Sequence, residues 1–344
     1  MVRYFGTFEG RSNVGSEEKL MIPNRLLKTD EQYAIKARQL CSQAARAYGY
    51  ESPHSVPLTT VVEYVIRRKP TYSRQTWKQY KNALRCHAQA VIEIQDEKVV
   101  AEEAQAAIRM LDRETAEGCM KSGTRTSALK QKTFKKADFD KVIAYLEKHV
   151  GKHRYARTLA LWLKASRLTG LRPSEWEHAD LTQIYSTPAL VIRNAKATNG
   201  RANGEERTLL LDLLTKEELG VIQDMIEMLE GYSSEIPFAR LQKVLGDYMN
   251  RATRRCFGKR KKYPTLYSNR HQFSADAKMS GHSKAEVAAL LGQASDETAG
   301  IHYARKASGE AAIKVSPLQS EVKTVRIRSR TFEPRRRKDS NTAE

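Results

Sequence analysis

From Val56 onward the chain repeats apolar residues with the period of a helix. VPLTTVVEYVIRR predicts one helix, and SRQTWKQYKNALRCHAQAVIEI a second, in which Trp77, Tyr80, Leu84, Ala88 and Val91 fall on one face behind Ser73 as N-cap. VVAEEAQAAIRMLDRE predicts a third. Before them, EQYAIKARQLCSQAARAYGY has enough alanine, with Leu40, for one helix, while the first thirty residues read as flexible. Residues 1–50 are therefore expected to be an N-terminal extension, and residues 51–117 a small helical domain.

The periodicity lapses in GCMKSGTRTSALKQKT, so residues 118–133 read as a basic linker. Helical spacing then resumes. Asp138 is placed to cap a helix with Phe139, Val142, Ile143, Leu146 and Val150 on one face, and a second helix from Tyr155 to Leu168 delivers Gly170, Leu171 and Arg172. After Leu181 the period becomes two: ALVIRNAK and RTLLLD flank the turn TNGRANGEE, which predicts a β-hairpin with Lys196 at its bend. Thr215 and Glu218 form a capping box for the next helix, and another amphipathic helix runs from Phe238 to about Cys256. Short helices follow from Arg270, from Ser283 and around Tyr303, and residues 316–344 read as a basic flexible tail. The fold class is mainly α with a small β-hairpin or sheet, an α+β arrangement in the second domain.

Charge narrows the partners. Among 344 residues, 60 Lys and Arg against 40 Asp and Glu leave a formal charge of +20, which favours a polyanion, above all nucleic acid. Arg67, Arg68, Lys69, Arg74, Lys78 and Lys81 make a basic helical face suited to phosphates, and Lys121 and Arg125 continue it into the linker. Cys41, Cys86, Cys119 and Cys256 lie far apart without metal-ligand spacing, so reduced thiols and no structural metal are expected. The sequence has no apolar run of membrane-spanning length and no signal-peptide stretch at its start, so a cytoplasmic or nucleoid-associated protein is expected.

The candidate chemistry comes from Arg172, Lys196, Arg270 and Tyr303 taken together. A phosphodiester attacked by a tyrosine accumulates negative charge on its non-bridging oxygens and on the departing oxygen. It needs fixed bidentate cations and a proton donor, and two arginines with one lysine suit that need.

In order and setting, these residues resemble the tyrosine recombinase (phage integrase) family, over roughly Asp138 to Ala311. TGLRPSE resembles the first family box, with Arg172 and its supporting carboxylate Glu175, and NAKATNG the hairpin lysine, Lys196. The second box, ordinarily His, two residues, Arg, appears as Tyr267, Ser268, Asn269, Arg270, followed by His271. The third appears as LLGQASDETAGIHY, with Gln293 in place of the usual imidazole or indole and Tyr303 as nucleophile.

The resemblance implies a helical core-binding domain and a catalytic domain, residues 134–315, closing as a C-shaped clamp on duplex DNA. It implies site-specific strand exchange (integration, excision, resolution or inversion) through a 3′-phosphotyrosyl intermediate, with no cofactor. Arg172 and Arg270 would hold the phosphate, Lys196 protonate the 5′ leaving group, and Gln293 and Tyr267 orient phosphate oxygens. Implied partners are recombination sites in double-stranded DNA, a homotetramer on two sites with the segment after Tyr303 docked on a neighbour, and an accessory DNA-bending protein; the implied setting is bacterial or a mobile element. Alternatives are a catalytically weakened DNA-binding relative and a nicking-closing enzyme of the topoisomerase IB type.

With neither imidazole, the proton of Tyr303 lacks an obvious acceptor. His271 and His302 are accessory candidates, but neighbours on a helix point about 100° apart, which directs both away from the site. The expectation is that the arginine field lowers the phenol pKa and that cleavage is slow, with no dedicated base and no titration near pH ~6.5, the usual histidine value.

Overall fold

Small residues decide how the N-terminal helices meet. The computed structural model describes residues 27–94, 97–120, 130–195, 197, 200, 202–298, 300, 303 and 305–328. It divides into two compact units, Met1–Arg125 and Thr126–Glu344.

In the first unit α1 (Leu27–Tyr48), α2 (Leu58–Arg67), α3 (Arg74–Ile94) and α4 (Lys98–Arg113) surround one core. Ala37, Leu40, Cys41, Ala44 and Ala45 of α1 are buried in it, against Val61, Val65, Trp77, Leu84 and Leu111. Helix α1 is thus part of the unit and not an extension of it. Its contact face is mostly alanine, which lets helices approach closely but carries a weak hydrophobic signal in sequence. Ser73 caps α3 as expected, its Oγ accepting the Thr76 N–H at 3.1 Å. Met120 donates to the Tyr72 carbonyl at 3.0 Å and Cys119 packs on the core, so this end of the expected linker closes the first unit.

The second unit holds α5 (Lys136–Lys148), α6 (Ala156–Thr169), α7 (Lys216–Ser233), α8 (Phe238–Phe257), α9 (Ser268–Met279) and α10 (Lys284–Leu290) with one small sheet. The mainly helical α+β class is as the sequence reads. Asp138 does not cap α5, which starts at Lys136; it lies in the first turn and pairs with Arg260 at 2.9 Å. The capping boxes at Thr215–Glu218 and Ser283–Glu286 both form. Gln131 donates through its N–H to the Tyr263 carbonyl at 3.1 Å, so the far end of the linker belongs to this unit.

The sheet has four antiparallel strands in the order β1 (Ala179–Ile184), β2 (Thr187–Arg193), β3 (Glu206–Leu210) and β4 (Ser316–Pro317). Ile192 stands opposite Arg207 and Leu190 opposite Leu209, so these four side chains share the buried face. β1 joins β2 through Tyr185 and Ser186, both at positive φ (48° and 68°), a conformation usually signalled by Asn or Gly. That is why the sequence shows a hairpin only after Leu181.

Residues 316–328 are not a flexible tail. Ser316 and Pro317 pair with β3, a short helix over Gln319–Thr324 follows, and Val315 and Val325 are buried. Two valines spaced along a charged segment leave little periodicity to read. Residues 316–328 thus pack within the second unit.

Candidate functional site

Gly170 ends α6 in the left-handed region (φ 65°), where a Cβ would meet the Phe273 ring of α9 at 2.3 Å. Beyond this close crossing the chain enters a 3₁₀ turn over Pro173–His178, with Arg172 at its N-cap. Glu175, in that turn, is 1% exposed and gathers the surrounding cations. Its carboxylate accepts from the Arg172 guanidinium and from the Arg172 backbone N–H at 2.7 Å. It also accepts from Arg207 at 2.7 Å and from Arg270 at 3.4 Å. Burial alone would raise its pKa, but Arg207, Arg270 and Arg172 together hold it well below the usual carboxylate range.

Arg270 is fully buried near the start of α9. It donates to the Gly170 carbonyl at 2.9 Å, to the Leu291 carbonyl, and through Nε to the Tyr303 hydroxyl at 3.0 Å. Each contact fixes the guanidinium against a different element. Tyr303 lies at a bend, and its hydroxyl is also 2.9 Å from that of Tyr267, the residue preceding α9. Burial disfavours a Tyr303 phenolate, but Arg270, then Arg172 and the two hydrogen bonds, outweigh it and bring the phenol down to about 7. Tyr267 moves up instead, through burial and the neighbouring Tyr303. The pair therefore consists of a proton-keeping donor and a readily ionised acceptor.

His271 is in the site, its ring centroid 4.9 Å from that of Tyr303, and not turned away as the helical-wheel argument implied. Burial first, then Lys132, Arg270 and Lys278, lower its pKa to about 4, so it is a neutral imidazole near pH 7. Gln293 is 1% exposed, and neither polar atom of its amide has a hydrogen-bond partner among the described residues. The same holds for Nε of Arg172. Buried unpaired donors cost about 1–3 kcal/mol each and call for an explanation such as a ligand. Lys196 and His302 lie outside the described residues, although Ala195, beside the lysine, donates its N–H to Glu175 at 3.5 Å. Among the described residues no group of three or more His, Cys, Asp or Glu is arranged to hold a metal ion, and no helix is long and apolar enough to cross a membrane.

Two residues of this assembly escape the sequence reading. Arg207 is 1% exposed and donates to Glu175, to Asn194 Oδ1 at 2.5 Å and to the Leu290 carbonyl at 3.1 Å. Asn194 in turn donates to the Asn203 and Gly204 carbonyls, both at 3.2 Å, closing the base of the β2–β3 hairpin. A Cβ on Gly292 would lie 2.1 Å from Asn194 Oδ1, so the glycine of LLG makes room for this pair. The available signal was parity: in RTLLL, Arg207 shares the face of Leu209, and a cation on a buried strand face requires a buried carboxylate.

In the first unit Arg67, Arg68, Arg74 and Lys78 are exposed. Lys69 and Lys81 are engaged at the end of α4 instead, Lys69 with the Glu114 carboxylate at 2.6 Å and Lys81 with the Glu114 carbonyl at 3.0 Å. Lys121 and Arg125 lie outside the described residues.

The second unit thus defines an α+β domain with a buried arginine–carboxylate cluster aimed at a tyrosine hydroxyl. No protein-family model and no curated protein matches the chain. Among solved structures it is similar to XerH site-specific recombinase bound to difH substrate in a pre-cleavage complex, at 15% identity over 80% of this chain and 75% of that chain, with a TM-score of 0.45. It is also similar to a lambda integrase dimer bound to a COC′ core site, at 13% identity over 86% and 85% of the two chains, with a TM-score of 0.41. XerA recombinase gives 11% identity over 81% and 95%, with a TM-score of 0.35. At such identities the chemistry rests on the side chains of this site.

Proposed function

We propose that this chain is a tyrosine-type site-specific DNA recombinase. The observation that carries the reading is the 3.0 Å hydrogen bond from Arg270 to Tyr303, made by an arginine that is itself braced, with Arg172, on Glu175. The Tyr303 phenolate attacks a DNA phosphodiester whose non-bridging oxygens lie between Arg172 and Arg270. The phosphorus–oxygen bond to the 5′ oxygen breaks as the 3′-phosphotyrosyl bond forms, and Lys196 protonates the departing oxygen. Arg172 Nε and the Gln293 amide N–H, without partners among the described residues, supply further donors for the phosphate. Rejoining reverses these steps with the 5′-hydroxyl of another strand. A phenol with a pKa of about 7 is a good leaving group as well as an available nucleophile.

DNA fragments carrying a nick close to the cut test the reading, because loss of the short 5′ strand traps the covalent protein–DNA adduct. The adduct should form with the parent chain and be absent from Tyr303→Phe. An adduct that persists in Tyr303→Phe removes the tyrosine from its role. Recombination that needs two sites separates strand exchange from nicking and closing, which relaxes supercoils on one.

A further inference from the structure

Helix α9 has two working stripes. Along one, Arg270 and His271 meet Tyr303. Along the other, Gln272, Ala275, Asp276 and Met279 meet the chain downstream of Tyr303. Residues spaced by three, four and seven share one helix face, whereas Arg270 and Gln272 are about 200° apart.

The second stripe grips the backbone at three points. Nε2 of Gln272 donates to Asp276 Oδ1 at 2.9 Å and to the Ser308 carbonyl at 2.8 Å. The same Asp276 oxygen accepts the Glu310 N–H at 2.8 Å. Between these contacts, Gly309 lies so close to α9 that a Cβ would stand 2.7 Å from Met279 Cβ and 2.8 Å from the Ala275 carbonyl oxygen. Gln272 is fully buried and also accepts the Phe134 N–H at 3.1 Å, so its amide orientation is set from both ends. Two buried polar side chains are thus spent on the main chain of one short segment.

That segment starts five residues after the tyrosine, from Tyr303 to Ser308, and Lys306–Ser308 is a 3₁₀ turn. Five residues reach at most ~17 Å when extended, less with a 3₁₀ turn, while a helix with its side chains is ~10–12 Å across. A connection that passes from one stripe to the other has little slack.

We propose that Gln272, Asp276 and Gly309 form a clip that fixes the reach of Tyr303, making them positioning residues for the nucleophile. The proposal rests on the reading of Tyr303 as nucleophile. One helix then carries both the phosphate-binding cation and the tether of the attacking group, which couples their separation to the geometry of α9. A displacement of ~1 Å at a reacting group can cost ~10²-fold in rate.

The test uses the full chain. Two glycines inserted between Arg305 and Lys306, both exposed, lengthen the tether without touching the buried clip. Gly309→Ala pushes the segment off α9, Asp276→Ala removes the shared acceptor, and Asp276→Asn keeps an oxygen there. The first readout is the ultraviolet absorbance of the Tyr303 phenolate against pH in the free protein, with Tyr303→Phe as reference. The groups facing that phenol are Arg172, Tyr267, Arg270, His271 and Lys278, and all remain in every variant. The second readout is the rate of adduct formation on nicked DNA, and the third is DNA affinity.

The insertion, Gly309→Ala and Asp276→Ala should move the ionisation midpoint from about 7 toward the ~10 of a free phenol. They should also slow adduct formation by up to ~10²-fold with affinity unchanged. Asp276→Asn should stay near the parent in both. A clip that only stabilises the fold would lower the unfolding temperature and leave the midpoint in place. A parent-like midpoint and rate in the insertion variant overturn the proposal, whatever the other variants do. If the parent forms no adduct, the nucleophile reading fails; the absorbance titration needs no DNA and still decides whether the clip holds Tyr303 on Arg270.

Discussion

The hydroxyl of Tyr267 lies 2.9 Å from that of Tyr303, so a residue assigned by resemblance to phosphate oxygens rests on the tyrosine proposed as nucleophile. Tyr267 keeps its proton and donates, which leaves Tyr303 as the group that ionises, at about 7. The expected lowering of the phenol by the arginines therefore brings a titration of its own, at about 7 and not from an imidazole. Because the folded-state pKa of this acid is depressed, the phenolate is lost as pH falls through about 7 and saturates above it. The rate of adduct formation should rise through that pH, and Tyr267→Phe should move the step upward. The step should survive in His271→Ala, since His271 titrates near 4. Its disappearance there would make the imidazole the base.

Arg172→Ala should slow adduct formation by about 10²–10³-fold, the loss of ~3–4 kcal/mol typical of one preorganised donor to a developing oxyanion. It is a cleaner probe than Arg270→Ala, which also strips donors from the Gly170 and Leu291 carbonyls. Single-turnover rates at saturating DNA, with an unfolding curve for each variant, separate the two effects. A parent-like rate in Arg172→Ala would place the phosphate elsewhere.

The basic residues of the first unit should divide into two groups. Arg74 and Lys78 are exposed, so replacing either with Ala should weaken DNA binding evenly across sequences and lower the slope of log affinity against log salt by about 1. Lys69 is held by Glu114 and lies over the Trp77 ring, 5.2 Å from its centroid. Lys69→Ala should instead cost about 1 kcal/mol of stability through the lost hydrogen bond. A full unit of salt slope lost in Lys69→Ala, with stability unchanged, would return it to the DNA-facing set.

The legible parts of this chain are those where one local rule suffices. Ser73, Thr215 with Glu218, and Ser283 with Glu286 announce their helix starts, and periodicity alone places α3 and α8. Arg172, Glu175, Arg270 and Tyr303 are legible only as an ordered set, because each sits in an unremarkable local context. Residues whose role depends on a distant partner stay hidden. Arg207 looks like one more cation until β3 turns it inward toward Glu175, and Gln272 looks like a surface amide until Ser308 reaches it. The alanine face of α1 and the β4 segment fail for a related reason: their burial is decided by neighbours far along the chain.

Arg207 also supplies a test of the cluster that is independent of DNA. Arg207→Met leaves Glu175 with Arg172 and Arg270 but removes the donor to Asn194 Oδ1 and the Leu290 carbonyl. Breaking one arm of a buried ion pair costs about 3 kcal/mol or somewhat more, and sharing Glu175 among the remaining arginines puts the expected loss at that lower end. The pH dependence then identifies the cause. Glu175 has a folded-state pKa depressed below its unfolded value of ~4.3, so its contribution is full above that pH and falls away as pH drops toward the folded value. Without Arg207, the strongest of the opposing cations, the folded pKa moves back up and less stability remains to be lost in acid. The gap between parent and Arg207→Met in urea unfolding should therefore be widest at pH ~7 and narrow below pH ~4. Arg207→Lys should fall between them, since an ammonium restores the charge without the planar set of donors that reaches Glu175, Asn194 and Leu290 together. A gap of equal size at both pH values would mean that Arg207 acts by packing alone, and the carboxylate would then owe its ionisation to Arg172 and Arg270.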